Sequence, residues 1–121
     1  MKTIHWLEQP EEHDYPAAAS YLSLIYRDDY VKEYIADLKI VEVVEFKAKD
    51  IFRASGLSLL GVSNSHVKKN TKKIEEGVKF SPLLLVRSAL NGKVVVADGY
   101  HRLCAIYAYN EDSLIKCKIV D

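Results

Sequence analysis

Leu83-Leu84-Leu85-Val86-Arg87-Ser88-Ala89-Leu90-Asn91-Gly92-Lys93-Val94-Val95-Val96-Ala97-Asp98-Gly99-Tyr100-His101-Arg102 decides the fold. Two continuous apolar runs, 83–86 and 94–97, bracket Asn91-Gly92, a dipeptide that tolerates positive φ at both turn positions and is a strong short-range hairpin signal. Runs without polar alternation suit strands covered on both faces. Two adjacent buried strands are expected. A helix should follow at once, because Leu103, Ile106 and Tyr107 set a helical face.

The junction between the second strand and that helix is where chemistry is expected. Asp98 can cap the helix, Gly99 lets another group approach the backbone closely, and the free first-turn amides share the positive end of the helix dipole. A phosphate reaching those amides would also meet the guanidinium fork of Arg102 and the titratable imidazole of His101. Plain readings stand beside this one: Asp98 as a cap only, Arg102 as a surface ion pair, His101 as a satisfied core histidine.

Outward from the junction, Leu114–Val120 closes the chain as a strand whose Ile115, Cys117 and Ile119 share one phase, with Lys116 and Lys118 between them. Upstream, Asn64 or Ser65 can cap a helix with Val67, Ile74 and Val78 on one stripe and Gly77 as its stop. Lys68, Lys69, Lys72 and Lys73 lie off that stripe, either as a phosphate-binding face or as an ordinary solvated one. Residues 53–65, with two glycines and four serines, read as an ordered loop over a site. Residues 41–46 are β-branched or aromatic around Glu42 and Glu45, a strand with one solvated face, and 47–49 lead it into a turn. In the first forty residues Asp14 can cap a helix beginning near Tyr15, with Ala18, Leu22, Ile25 and Tyr26 at helical spacing. Val31, Ile35 and Leu38 continue it past Arg27-Asp28-Asp29, as two short helices or one kinked helix. Tyr15, Tyr21, Tyr26, Tyr30 and Tyr34 serve either as amphipathic packing or as a stacking or partner surface.

Composition narrows the functional classes. The 121 residues make one domain (1–121), with 49% hydrophobic and 28% charged residues, enough for a core and a solvated surface. Seventeen basic residues balance seventeen acidic ones, which argues against dedicated nucleic-acid binding. The apolar stretches fall far short of the roughly 20 residues that span a bilayer, and the acidic Glu8, Glu11 and Glu12 arrive too early for a secretory leader, so the cytoplasm is the expected location. Cys104 and Cys117 make neither a disulfide framework nor a zinc motif. His5, His13 and the nearby glutamates have no recognised metal spacing, and no metal site is expected.

At 98–102 the chain resembles the ParB/sulfiredoxin superfamily, whose members open a helix after a buried strand with a Gly-x-x-Arg box. Ser81-Pro82-Leu83-Leu84-Leu85-Val86-Arg87 is similar to the family strand that follows a helix and begins at proline, and the hairpin then delivers Asp98 to Arg102 in the same order. Residues 43–120 fit this plan. The fold implied is α+β, a small mixed β-sheet with packed helices (41–121) and an N-terminal helical extension (1–40). Sulfiredoxins place a reactive cysteine immediately before His-Arg, where this chain has Tyr100, so that activity does not fit. ParB proteins carry Gly-Glu-Arg-Arg, bind CTP and continue into a DNA-binding region. The free-serine kinase branch carries Asp-Gly-His-His-Arg, one residue different from Asp98-Gly99-Tyr100-His101-Arg102.

The resemblance implies a nucleotide (ATP, ADP or CTP) or a phosphorylated small molecule, with Mg²⁺, held at Gly99, Tyr100, His101 and Arg102, and phosphoryl transfer or hydrolysis assisted by a carboxylate. Asp98 is the first candidate for that carboxylate, Asp50 the second, and Glu45 a third. Arg53 is similar in position to the arginine that ParB-like domains place after their first strand, and His66 and Lys69 are candidates for closing the site from the loop and helix. A binding module without turnover, presenting the N-terminal helices to a protein partner, is the competing class; a ParB-like nuclease or DNA-associated protein is weaker.

Overall fold

The computed structural model describes residues 3–59, 64–88 and 93–121. Among these the chain runs β1 (His5–Trp6), α1 (Asp14–Leu22), α2 (Asp28–Ile40), β2 (Val44–Lys47), α3 (Ala48–Ser55), α4 (Ser65–Glu76), β3 (Lys79–Phe80), β4 (Leu83–Ser88), β5 (Lys93–Asp98), α5 (Tyr100–Tyr109) and β6 (Leu114–Val120). The main sheet has the order β2-β6-β4-β5; β2–β6 and β4–β5 are antiparallel and β6–β4 is parallel. β1 and β3 form a small parallel ladder apart from it, which the sequence patterns did not suggest. The architecture is α+β around a small mixed sheet. β4 and β5 pair as the hairpin signal required, while its turn, Asn91-Gly92, lies outside the described residues.

Strand periodicity divides the core in two. Leu83, Leu85, Val96, Ile115 and Cys117 join Ile51 and Phe52 of α3, Val67 and Ile74 of α4, and Leu103 to Ile106 of α5. Leu84, Val86, Val95, Ala97 and Val120 join Tyr15, Ala18 and Leu22 of α1 with Val31 and Leu38 of α2. Both faces of the sheet are therefore covered, which is why the two runs carry no polar alternation. Residues 14–40 are thus a full helical layer of the domain. Tyr15 is buried in it and Tyr26 meets Tyr34 edge-on at 5.1 Å, whereas Tyr21 and Tyr30 stay exposed.

Local signals place several helix ends, though Asp14, expected to cap α1, is instead its first residue, with His13 at the N-cap position and no side-chain cap there. The Asn64 side chain accepts from the amides of His66 and Val67, and Gly77 closes α4 at φ 73°. Arg27 is extended and α2 opens on Asp28 and Asp29, whose charges suit the positive end of its dipole. The chain therefore resolves into two helices there.

Other expectations need correction. Val78 lies beyond the end of α4 and Ile25 beyond the end of α1; both are exposed. The first strand of the main sheet is an edge strand, and all four of its residues are exposed. It passes into α3 without an intervening turn, so Asp50 sits in the first turn of a helix. The loop assigned to 53–65 is shorter at its start: α3 runs to Ser55, Gly56 ends it at φ 64°, and residues 60–63 lie outside the described residues.

Lys118 departs most from simple alternation. Because β6 is central, the phase opposite Cys117 faces the second core, and Lys118 is only 2% exposed. Its ammonium donates to the Lys39 carbonyl (3.3 Å) and the Tyr15 hydroxyl (3.4 Å), both neutral, and burial lowers its pKa. Over the window between that lowered value and the ordinary lysine value the unfolded chain binds the extra proton, so stability rises with pH there. Lys118→Met should raise stability near neutral pH by about 1–2 kcal/mol, since replacing a buried charge with a hydrophobe of similar volume is often favourable. It should also flatten the alkaline rise. Urea unfolding between pH 7 and 10 checks both; a destabilised variant would contradict this account.

Candidate functional site

β5 delivers Asp98, and Gly99 turns the chain into α5 at φ 110°. A side chain cannot be placed there: a Cβ on Gly99 would lie 2.5 Å from Leu83 Cγ and 2.9 Å from Arg102 Nη2. Gly99 itself is the N-cap residue, and no side chain caps α5. The Asp98 cap read from sequence is thereby corrected, because Arg102, one turn on, takes the carboxylate instead. Arg102 Nη2 donates to Asp98 Oδ2 at 3.1 Å, with the two side chains 18% and 17% exposed.

The uncapped helix start opens into a cleft of about 580 Å³. Asp98, Gly99, Tyr100 and His101 form one side of it, Val96 and Ala97 continue along β5, and Tyr21 of α1 with Leu57 and Ser58 closes the rest. The Tyr100 hydroxyl donates to the Ser58 carbonyl, tying residues after α3 to the start of α5. The His101 ring lies 4.7 Å from that of His66, centroid to centroid. One wall is thus polar and titratable, and the other is apolar and aromatic.

Electrostatics follow from this semi-enclosure. Burial raises the pKa of Asp98, with the charge of Asp14 adding to the effect, and this outweighs the opposing pull of Arg102. Burial lowers the pKa of His101, and the neighbouring His66 adds to the shift. Burial also raises the pKa of the Tyr100 phenol. The cleft thus carries a carboxylate more basic than usual and an imidazole more acidic than usual, the kind of perturbation found where protons are transferred.

The residues singled out from sequence separate into two places. Asp98, Gly99, Tyr100 and His101 line the cleft, and His66 stands behind His101. Arg102 is not on the cleft wall; its guanidinium is engaged behind it by Asp98, and its Nε is buried without a hydrogen-bond partner among the described residues. Asp50 borders a different cleft with Phe46 and Arg87, and Arg53 lies 3.9 Å from it on the same helix. Glu45 is exposed on the edge strand, and Lys69 is exposed on α4, off the cleft. Tyr21, Leu57 and Ser58 were missed as site residues. Each left a trace: Tyr21 as one tyrosine of a crowded segment whose role was open, Leu57 and Ser58 within the 53–65 stretch read as a loop over a site.

Magnesium, which the family resemblance implies, fits these residues in part: Asp98 is the carboxylate on the wall, and such ions are commonly held by one or two carboxylates together with ligand phosphates. Comparison of the chain with family models, with curated proteins and with solved structures returns no significant match.

Proposed function

We propose that the chain is a ParB/sulfiredoxin-like protein that binds a nucleotide or phosphorylated small molecule, with phosphate oxygens at Gly99, Tyr100 and His101. The observation that carries this reading is the uncapped start of α5 opening into a 580 Å³ cleft. First-turn amides and the dipole attract an anion there, and His101 adds a proton-dependent donor. The exposed ring of Tyr21, across the cleft, suits a nucleobase face. Arg102 acts from behind, neutralising Asp98 so that the wall does not repel phosphate. In phosphoryl transfer or hydrolysis Asp98, with its raised pKa, would accept the proton of the attacking hydroxyl or water. The two buried free cysteines suit a reducing compartment, the cytoplasm.

A binding module without turnover is supported by a different observation. The hydrogen bond from Tyr100 to Ser58 lets an occupied helix start hold the segment after α3 in one position. Thermal unfolding with ATP, ADP, CTP and pyrophosphate, with and without Mg²⁺, tests binding, since a ligand at 100 times its Kd adds about 2.7 kcal/mol. At least one of these ligands should raise the melting temperature; no shift with any of them would sink both readings. Product formation with a small hydroxyl acceptor then separates enzyme from module. Sulfate, whose own charge is constant over this range, should bind more tightly as pH falls from 7 to 5, because His101 gains its proton below the ordinary histidine range.

A further inference from the structure

We propose that Glu11, His13 and Asp14 form a binding site for a divalent transition-metal ion of the zinc or manganese class. His13 Nε2 lies 2.9 Å from Glu11 Oε2 and 3.4 Å from Asp14 Oδ1, and one donor atom from each residue falls within 4.8 Å of the others. Bonds of about 2.0–2.2 Å from nitrogen or oxygen to such an ion put adjacent donors about 3.0–3.5 Å apart. The two separations from His13 Nε2 match the edges of a coordination polyhedron, and the two carboxylates lie within 4.8 Å of each other.

The site is anchored rather than merely superficial. Asp14 is 5% exposed at its side chain, and its Oδ2 accepts from the Ser81 hydroxyl and from the Glu11 amide, leaving Oδ1 on the side of His13. Ser81 is 67 residues away in sequence, so the carboxylate is oriented by the tertiary fold, the outer-shell support expected around metal ligands. With His13 neutral the cluster carries two negative charges, which outweigh the roughly half positive charge at the start of α1. One imidazole and two carboxylates favour zinc over manganese, and manganese over magnesium. His13 and Glu11 are 77% and 48% exposed, which leaves the remaining coordination positions to water.

Calorimetric titration of the full chain with Zn²⁺ and with Mn²⁺, alongside NMR of the histidine rings, tests the site. One ion per chain should bind. His13→Ala and Glu11→Gln, both at exposed positions, should each weaken binding tenfold or more, and Ser81→Ala about tenfold. Removing the other close pair, with His66→Ala and His101→Ala together, should leave binding intact, and Mn²⁺ should broaden resonances around residues 11–14. Binding insensitive to His13→Ala, binding lost with the His66 and His101 pair, or no binding at all would overturn the proposal and leave His13 as a contact between two carboxylates.

Discussion

Gly99→Ala should destabilise the fold by about 3 kcal/mol or more, the largest effect expected of any single methyl group in the chain. The first cost is conformational: a φ of 110° is open to glycine and strained for alanine, on the order of 1–3 kcal/mol. The second is steric. The new Cβ would sit 2.5 Å from Leu83 Cγ, a fully buried side chain that cannot step aside without disturbing β4, and overpacking of this kind costs roughly 1–3 kcal/mol. Urea denaturation of the purified variant measures the sum; a loss under about 1 kcal/mol would mean that the turn is not held as described.

Arg102→Met should cost about 2–3 kcal/mol near neutral pH, with a pH signature that identifies the cause. Removal of the guanidinium leaves the Asp98 carboxylate semi-buried without its cation. Burial already raises the pKa of Asp98, and losing Arg102 removes its charge and its hydrogen bond, which oppose that rise, leaving only the weaker influence of His13 against it. Between the unfolded and the raised folded value the folded state holds the extra proton, so stability falls as pH rises through that window and recovers as pH drops back through it. The deficit of the variant should therefore shrink on acidification. Asp98→Asn combined with Arg102→Met should recover most of the loss at neutral pH, because the two residues act as a pair. A deficit that is the same at pH 4 and pH 7 would assign Arg102 a packing role alone.

Much of the fold was legible because its decisive signals are local or binary. The apolar runs 83–86 and 94–97, Asn64 as a cap and Gly77 as a stop each report a constraint that one segment feels by itself. What stayed hidden depends on neighbours distant in sequence. Lys118 follows the same alternation as Lys116, and only the central place of β6, with α1 and α2 laid over its second face, turns one of them inward. Asp98 has the chemistry of a cap, yet an arginine one turn later competes for its carboxylate and wins. Likewise, Tyr21 on α1 and Ser58 in the segment after α3 reach the cleft from places remote in the chain, and the cluster at Glu11, His13 and Asp14 gains its rigidity from Ser81. In each case a tertiary partner decided between two roles that the residue type allowed equally.

Phosphate binding by this chain requires that anions seat at the start of α5. Titration of the ¹⁵N-labelled chain with pyrophosphate, following backbone amides by NMR, addresses that directly. Saturable shifts should centre on Gly99, Tyr100 and His101, with smaller ones at Leu57 and Ser58. Shifts confined to Lys68, Lys69, Lys72 and Lys73 on α4, with the 99–101 amides unmoved, would contradict it and assign any phosphate binding to a lysine face.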